Sequence, residues 1–76
     1  MNERVIEIVQ KACALSEEIT IDSELKILSL DSLSYVEMLV EIENTFGVEF
    51  DIDVYDRLYN GTVGDIVQAV KEQTNG

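Results

Sequence analysis

Leu28-Ser29-Leu30-Asp31-Ser32-Leu33 is the stretch from which the fold is read. Asp31 is a good helix N-cap, and the residues after it keep a helical apolar spacing until Gly47 offers a stop. The reading is a helix over 32–46 with Ser32 in its first turn. Free backbone N–H groups and the positive end of the dipole make that place a natural seat for a phosphate. Nothing nearby would turn Ser32 into a nucleophile, since the chain has no histidine and no Ser-x-x-Lys pair here. A serine placed to hold a phosphate, but not to do chemistry, reads as an attachment point. No catalytic residue is expected.

At roughly 100° per residue, the helix carries two apolar arcs. Tyr35, Met38, Leu39, Ile42 and Phe46 cluster as a core face. Leu33, Val36 and Val40 lie on another arc beside Ser32, bordered by Glu37, Glu41 and Asn44. A helix buried over a wide arc would explain the second stripe. So would a partner-docking strip, apolar in the middle and acidic at the rim, and this is the preferred reading. From Asp31 to Asp56 eight acidic residues occur with no basic one, which sets an acidic surface at the Ser32 end.

Upstream, residues 2–15 read as a helix with Asn2 as cap and Val5, Ile6, Val9 and Ala12 on one stripe. Cys13 borders that stripe. It reads as a small apolar residue near the core, because no basic cluster is present to favour a thiolate. Residues 16–31 form a long loop anchored by Ile19, Ile21, Leu25, Ile27, Leu28 and Leu30, with a brief helical turn at Asp22-Ser23-Glu24-Leu25.

Downstream, Val48, Phe50, Ile52 and Val54 alternate with acids, a period-two strand signature. Asn60-Gly61 would even serve as a hairpin turn, but no comparable partner strand exists. Periodicity leaves strand and helix open here. Asp51-x-Asp53 begins like an EF-hand loop, yet Asp56 replaces the glycine and Thr62 stands in place of the closing glutamate. No dedicated metal site is expected. Thr62 and Asp65 form a capping box for a last helix with Val63, Ile66, Val67, Ala69 and Val70 on its apolar face. Gly64 allows close packing there, and Thr74-Asn75-Gly76 should fray.

The 76 residues are expected to make a single domain, 1–76, with 46% hydrophobic residues, ample for folding. A net charge of −11 argues against nucleic acid and anionic membranes and favours basic protein partners. One cysteine and no long apolar run suit a soluble, cytoplasmic monomer.

Asp31-Ser32-Leu33 opening an acidic amphipathic helix, in a chain of this length, resembles the acyl carrier proteins. Context carries the likeness over nearly the whole chain. A helix precedes the motif by a long loop, Val36-Glu37 follows at the usual place, and Thr62-Val63-Gly64-Asp65 opens the last helix. The resemblance implies an all-α, four-helix bundle with helices at about 2–15, 32–46, 53–59 and 62–73, and it resolves 53–59 as the short third helix. It implies that Ser32, between Asp31 and Leu33, receives 4′-phosphopantetheine from coenzyme A. The terminal thiol of that arm carries acyl groups as thioesters for fatty-acid or polyketide-type biosynthesis.

The implied partners are a phosphopantetheinyl transferase and the loading, condensing and tailoring enzymes. These would meet Leu33, Val36, Glu37, Val40, Glu41, Asn44 and Val54 through basic patches. A core of Val, Ile, Leu and Met can yield space for the cargo to fold back between helices, and the core NMR signals of Ile42 and Val67 would report it. The chain departs from the family in having Ser29 where a glycine is common, Ser34 where another acid is common, no proline before the third helix, and Tyr59-Asn60-Gly61 before the last one. An aminoacyl, peptidyl or D-alanyl carrier is the alternative within carriers. An unmodified helical adaptor is the alternative outside them.

Overall fold

The computed structural model describes residues 1–13, 18–28 and 30–74. Among these residues the chain forms four α-helices and a 3₁₀ turn, with no strands. The alternation at 48–54 is therefore not a strand. Val48 and Phe50 turn inward from an extended segment, after which a helix begins.

Helix α1, Asn2–Ala12, packs against α2 and α4. Two neighbours require a wider apolar face than the stripe read from the sequence. Ile8 joins Val5 and Val9 in the core, while Ile6 and Ala12 are half-buried at its edge. Asn2 is the first helical residue rather than the cap, which falls on Met1 without a side-chain hydrogen bond. The helix ends at Ala12, because Cys13 is extended with φ −85° and ψ 136°. The expected helical positions Ala14 and Leu15 lie outside the described residues, as do Ser16, Glu17, Ser29, Asn75 and Gly76.

Helix α2, Ser32–Phe46, has both of its expected stops. The Ser34 N–H donates to Asp31 Oδ1 at 2.7 Å, and Gly47 closes the helix in the left-handed region at φ 68°. Tyr35, Met38, Leu39 and Ile42 are buried, and Phe46 packs half-buried against them.

Helix α3, Ile52–Tyr59, starts one residue ahead of expectation. Asp51 supplies its cap, with Oδ1 accepting from the Val54 N–H at 3.1 Å. That carboxylate has a structural task instead of the calcium-loop role its spacing suggested. Glu43 binds the segment before α3 and α3 itself to α2. One carboxylate oxygen accepts from the Phe50 N–H at 2.7 Å and the other from the Tyr55 hydroxyl at 2.6 Å.

Helix α4, Val63–Thr74, shows the capping box in full. The Thr62 N–H donates to Asp65 Oδ2 at 2.9 Å and the Asp65 N–H to Thr62 Oγ1 at 3.3 Å. All five residues assigned to its apolar face are buried. Thr74 is still helical, its hydroxyl bonded to the Val70 carbonyl, rather than frayed.

The long loop is anchored by backbone as well as by side chains. The N–H groups that a helix start leaves orphaned at Val63 and Gly64 donate to the loop carbonyls of Ser23 and Ile21, at 2.9 and 2.7 Å. Glycine at 64 permits this approach, since a Cβ there would stand 3.0 Å from the Ile21 carbonyl oxygen. The side chains of Ile19, Leu25, Leu28 and Leu30 are buried, but those of Ile21 and Ile27 are exposed. The local helix is a 3₁₀ turn at Leu25–Ile27, so Leu25 and Leu28, three apart, share the inward side while Ile27 points away.

Removing the Glu43 carboxylate leaves an N–H and a phenol without their acceptor. We expect Glu43→Ala to cost roughly 1–3 kcal/mol in urea unfolding, and Glu43→Gln less. Equal stability of Glu43→Ala and the parent chain would show that this bridge is unimportant.

Candidate functional site

Ser32 is the first residue of α2 and is exposed. Its hydroxyl makes no hydrogen bond within the described chain, so Oγ is free to be substituted. The helix start around it is not wholly vacant, however. Asp31 already occupies part of the seat that the sequence suggested for a phosphate, since its carboxylate takes the Ser34 N–H. That bond, with a further one from the Ser34 hydroxyl, holds the Asp31 carboxyl below its ordinary pKa. A phosphate on Ser32 would share the positive end of the dipole with Asp31.

Beside Ser32 a cleft of about 750 Å³ opens between α2 and α3. Helical spacing builds both walls. Ser32, Tyr35 and Val36 (i, i+3, i+4) come from α2, and Ile52, Tyr55, Asp56 and Tyr59 (i, i+3, i+4, i+7) come from α3. Phe50, from the segment before α3, also lines the cleft. Two phenols set the separation of the helices. The Tyr35 hydroxyl donates to the Tyr55 carbonyl at 2.6 Å, and the Tyr35 and Tyr59 rings meet edge-on with centroids 5.2 Å apart.

The second apolar stripe of α2 is at the surface. Leu33 is 68% exposed, and Val36 and Val40 about two-fifths. Glu37, Glu41 and Asn44 beside them are exposed too. Among the described residues the one ion pair is Arg4–Glu7 on α1, so Glu37 and Glu41 form none, although Lys11 lines the same surface hollow as these two acids. Val54 reaches the surface only in part. It is half-buried against the core, while Ile52, which the sequence reading counted only in an alternating run, is 83% exposed. The signal that would have found it is the helix start at Asp51, which turns Ile52 outward with Tyr55 and Tyr59 on the same face.

Ile42 and Val67, the core reporters of a folded-back cargo, are buried and do not line the cleft. Cys13 is buried and its thiol pKa is raised by that burial. Among the described residues no group of three or more acidic or cysteine side chains is placed to hold a metal ion. No helix there is long and apolar enough to cross a membrane.

A small helical bundle with a free serine hydroxyl at a helix start, beside an apolar cleft, has the layout of a covalent carrier. Residues 3–70 match the family described as Phosphopantetheine attachment site, and the chain belongs to this family of carrier proteins. Its members bear 4′-phosphopantetheine covalently on a serine.

Among curated relatives, Nodulation protein F of Rhizobium leguminosarum bv. viciae is 36% identical over 55 residues, covering 71% of this chain and 60% of its own. D-alanyl carrier protein of Streptococcus uberis is 46% identical over 46 residues, 60% of this chain and 58% of its own. Acyl carrier protein of Lactobacillus johnsonii is 38% identical over 48 residues, 63% and 58% respectively. The chain thus spans about three-fifths of the length of the relatives it matches. No solved structure matches it significantly.

The cleft phenols have an alkaline signature. Burial raises Tyr35 well above the ordinary phenol range, with Tyr55, Asp56 and Tyr59 adding to the rise. Tyr55 is pushed up to about 12 by burial and by its bond to the Glu43 carboxylate. Unfolded phenols ionise near pH ~10, so the folded chain holds these protons more tightly. The stability they contribute is whole below about pH 10 and is lost as pH rises through 12 and beyond. In a tyrosinate absorbance titration we expect late ionisations that Tyr35→Phe and Tyr55→Phe each remove. Ionisation of both near pH ~10 in a chain still helical by circular dichroism would contradict this.

Proposed function

We propose that Ser32 is the attachment point for 4′-phosphopantetheine and that the chain carries acyl groups for fatty-acid or polyketide-type biosynthesis. The observation that carries this reading is the free, exposed Ser32 hydroxyl at the start of α2, opening onto an apolar cleft. A phosphopantetheinyl transferase would join the phosphate to Ser32 Oγ as a phosphodiester, drawing the group from coenzyme A. Ser32 holds the arm, and Asp31 and Leu33 frame it. The arm supplies a terminal thiol for thioester carriage.

This chain contributes position rather than reaction chemistry. The chain has no histidine to act as a general base, and the adjacent carboxylate, Asp31, accepts from the Ser34 N–H. The enzymes that load, condense and tailor the cargo would supply the chemistry. A tethered thioester reaches whichever of them is docked at a raised effective concentration. The docking strip is Leu33, Val36 and Val40 with Glu37, Glu41 and Asn44 along it, extended across the cleft by Ile52. Basic patches on cytoplasmic partner enzymes complement it.

A D-alanyl or other aminoacyl carrier is the second reading. It is supported by D-alanyl carrier relatives that share 46% identity with this chain over 43–46 residues. The apolar cleft favours acyl cargo.

Intact mass after incubation with coenzyme A and a broad-specificity transferase tests the attachment. We expect a gain of one phosphopantetheinyl group, absent in Ser32→Ala. No gain by the folded parent chain, with a known carrier modified in parallel, would favour an unmodified adaptor. Charge reversal tests docking. Glu37→Lys and Glu41→Lys should each lower kcat/KM of the transferase by roughly two- to fivefold, with the difference shrinking in high salt. Unchanged kinetics for both would remove the acidic rim from the interface.

A further inference from the structure

Four of the chain's five aromatic side chains line one cleft. They are Tyr35, Tyr55 and Tyr59, which are all of its tyrosines, and Phe50. Core packing alone does not demand this concentration, because Tyr59 is 37% exposed and its ring lies at the surface. The Tyr35 and Tyr55 hydroxyls are already engaged, one by the Tyr55 carbonyl and the other by Glu43. What those two residues offer an occupant is therefore ring surface. Tyr35 and Tyr59 stand at 73° to each other, an edge-to-face pair to which a third ring adds favourably.

The depth of the cleft points the same way. The Tyr35–Tyr55 hydrogen bond spans α2 and α3, and Leu39, Ile42 and Leu58 behind it are at most 2% exposed. A long linear chain would have to break that bond to run inward, or lie along the open side in water. A planar group of ring size fits against the aromatic walls with the bond intact.

Resting on the carrier reading above, we infer that the cleft receives a ring-bearing acyl group from the chain's own Ser32-linked arm, in preference to a long aliphatic chain. Tyr59 is the specificity residue. It is the accessible ring of the set, and its edge contact with Tyr35 shapes the wall.

The test loads the full chain with acetyl, benzoyl or octanoyl cargo from the matching acyl-coenzyme A. The transferase moves the whole acyl-phosphopantetheinyl group to Ser32 Oγ and releases adenosine 3′,5′-bisphosphate. Intact mass verifies each loading. Tyrosine ring proton signals and the rate of thioester cleavage by hydroxylamine are then read, each rate taken relative to the same acyl group on free pantetheine. Benzoyl should shift the Tyr35 and Tyr59 signals away from their acetyl-loaded positions and slow cleavage by roughly two- to tenfold. Octanoyl should do less in both.

Tyr59→Leu should erase the benzoyl effect, and Tyr59→Phe, which keeps the ring, should retain it. Benzoyl behaving like acetyl, octanoyl matching or exceeding benzoyl, or Tyr59→Phe failing as Tyr59→Leu does would each overturn the inference. No mass gain with any donor would instead defeat the carrier reading, and this inference with it.

Discussion

A tie through the Tyr35 hydroxyl helps to decide how far apart α2 and α3 stand. Its 2.6 Å bond to the Tyr55 carbonyl reaches from the buried face of α2 into the backbone of α3. A short helix of eight residues has little surface of its own to bury, so its position depends on such specific ties. Glu43 adds two more, and Asp51 caps the helix. Because the ties run through long side chains rather than close backbone packing, they leave room between the two helices. The cleft is the space that this mode of attachment creates.

The same helix α2 serves two surfaces with opposite requirements. One arc, Tyr35, Met38, Leu39 and Ile42, is withdrawn from water and holds the bundle together. The other, Leu33, Val36 and Val40, stays in water at a hydrophobic cost that the fold does not recover. Charge is handled alike. Among the described residues the acids of α2 form no ion pair, which leaves repulsion that a basic surface from outside would relieve. Both features make the isolated chain incomplete at the same place.

Legibility in the sequence followed the strength of local signals. Helix α2 was readable to the residue, because Asp31 and Gly47 are opposite kinds of stop with unbroken periodicity between them. The face of α4 was readable because Thr62 and Asp65 fix its register. Helix α1 was read too narrowly, since its two neighbours are a tertiary fact that no single stripe announces. Ile21, Ile27 and Ile52 depart from expectation for a shared reason. Apolar residues in irregular or alternating segments have no direction until the backbone is known. The free Ser32 was visible, and the cleft beside it was not, because its two walls lie on helices joined only in three dimensions.

Cys13 closes the account from the opposite end of the chemistry. A protein that holds its cargo as a thioester must not itself contain a competent acceptor for that cargo. A second thiolate within reach of the arm would take the acyl group by exchange and strand it on the wrong sulfur. Burial of the Cys13 sulfur at the end of α1 raises its thiol pKa and so disfavours the thiolate that such an exchange would need.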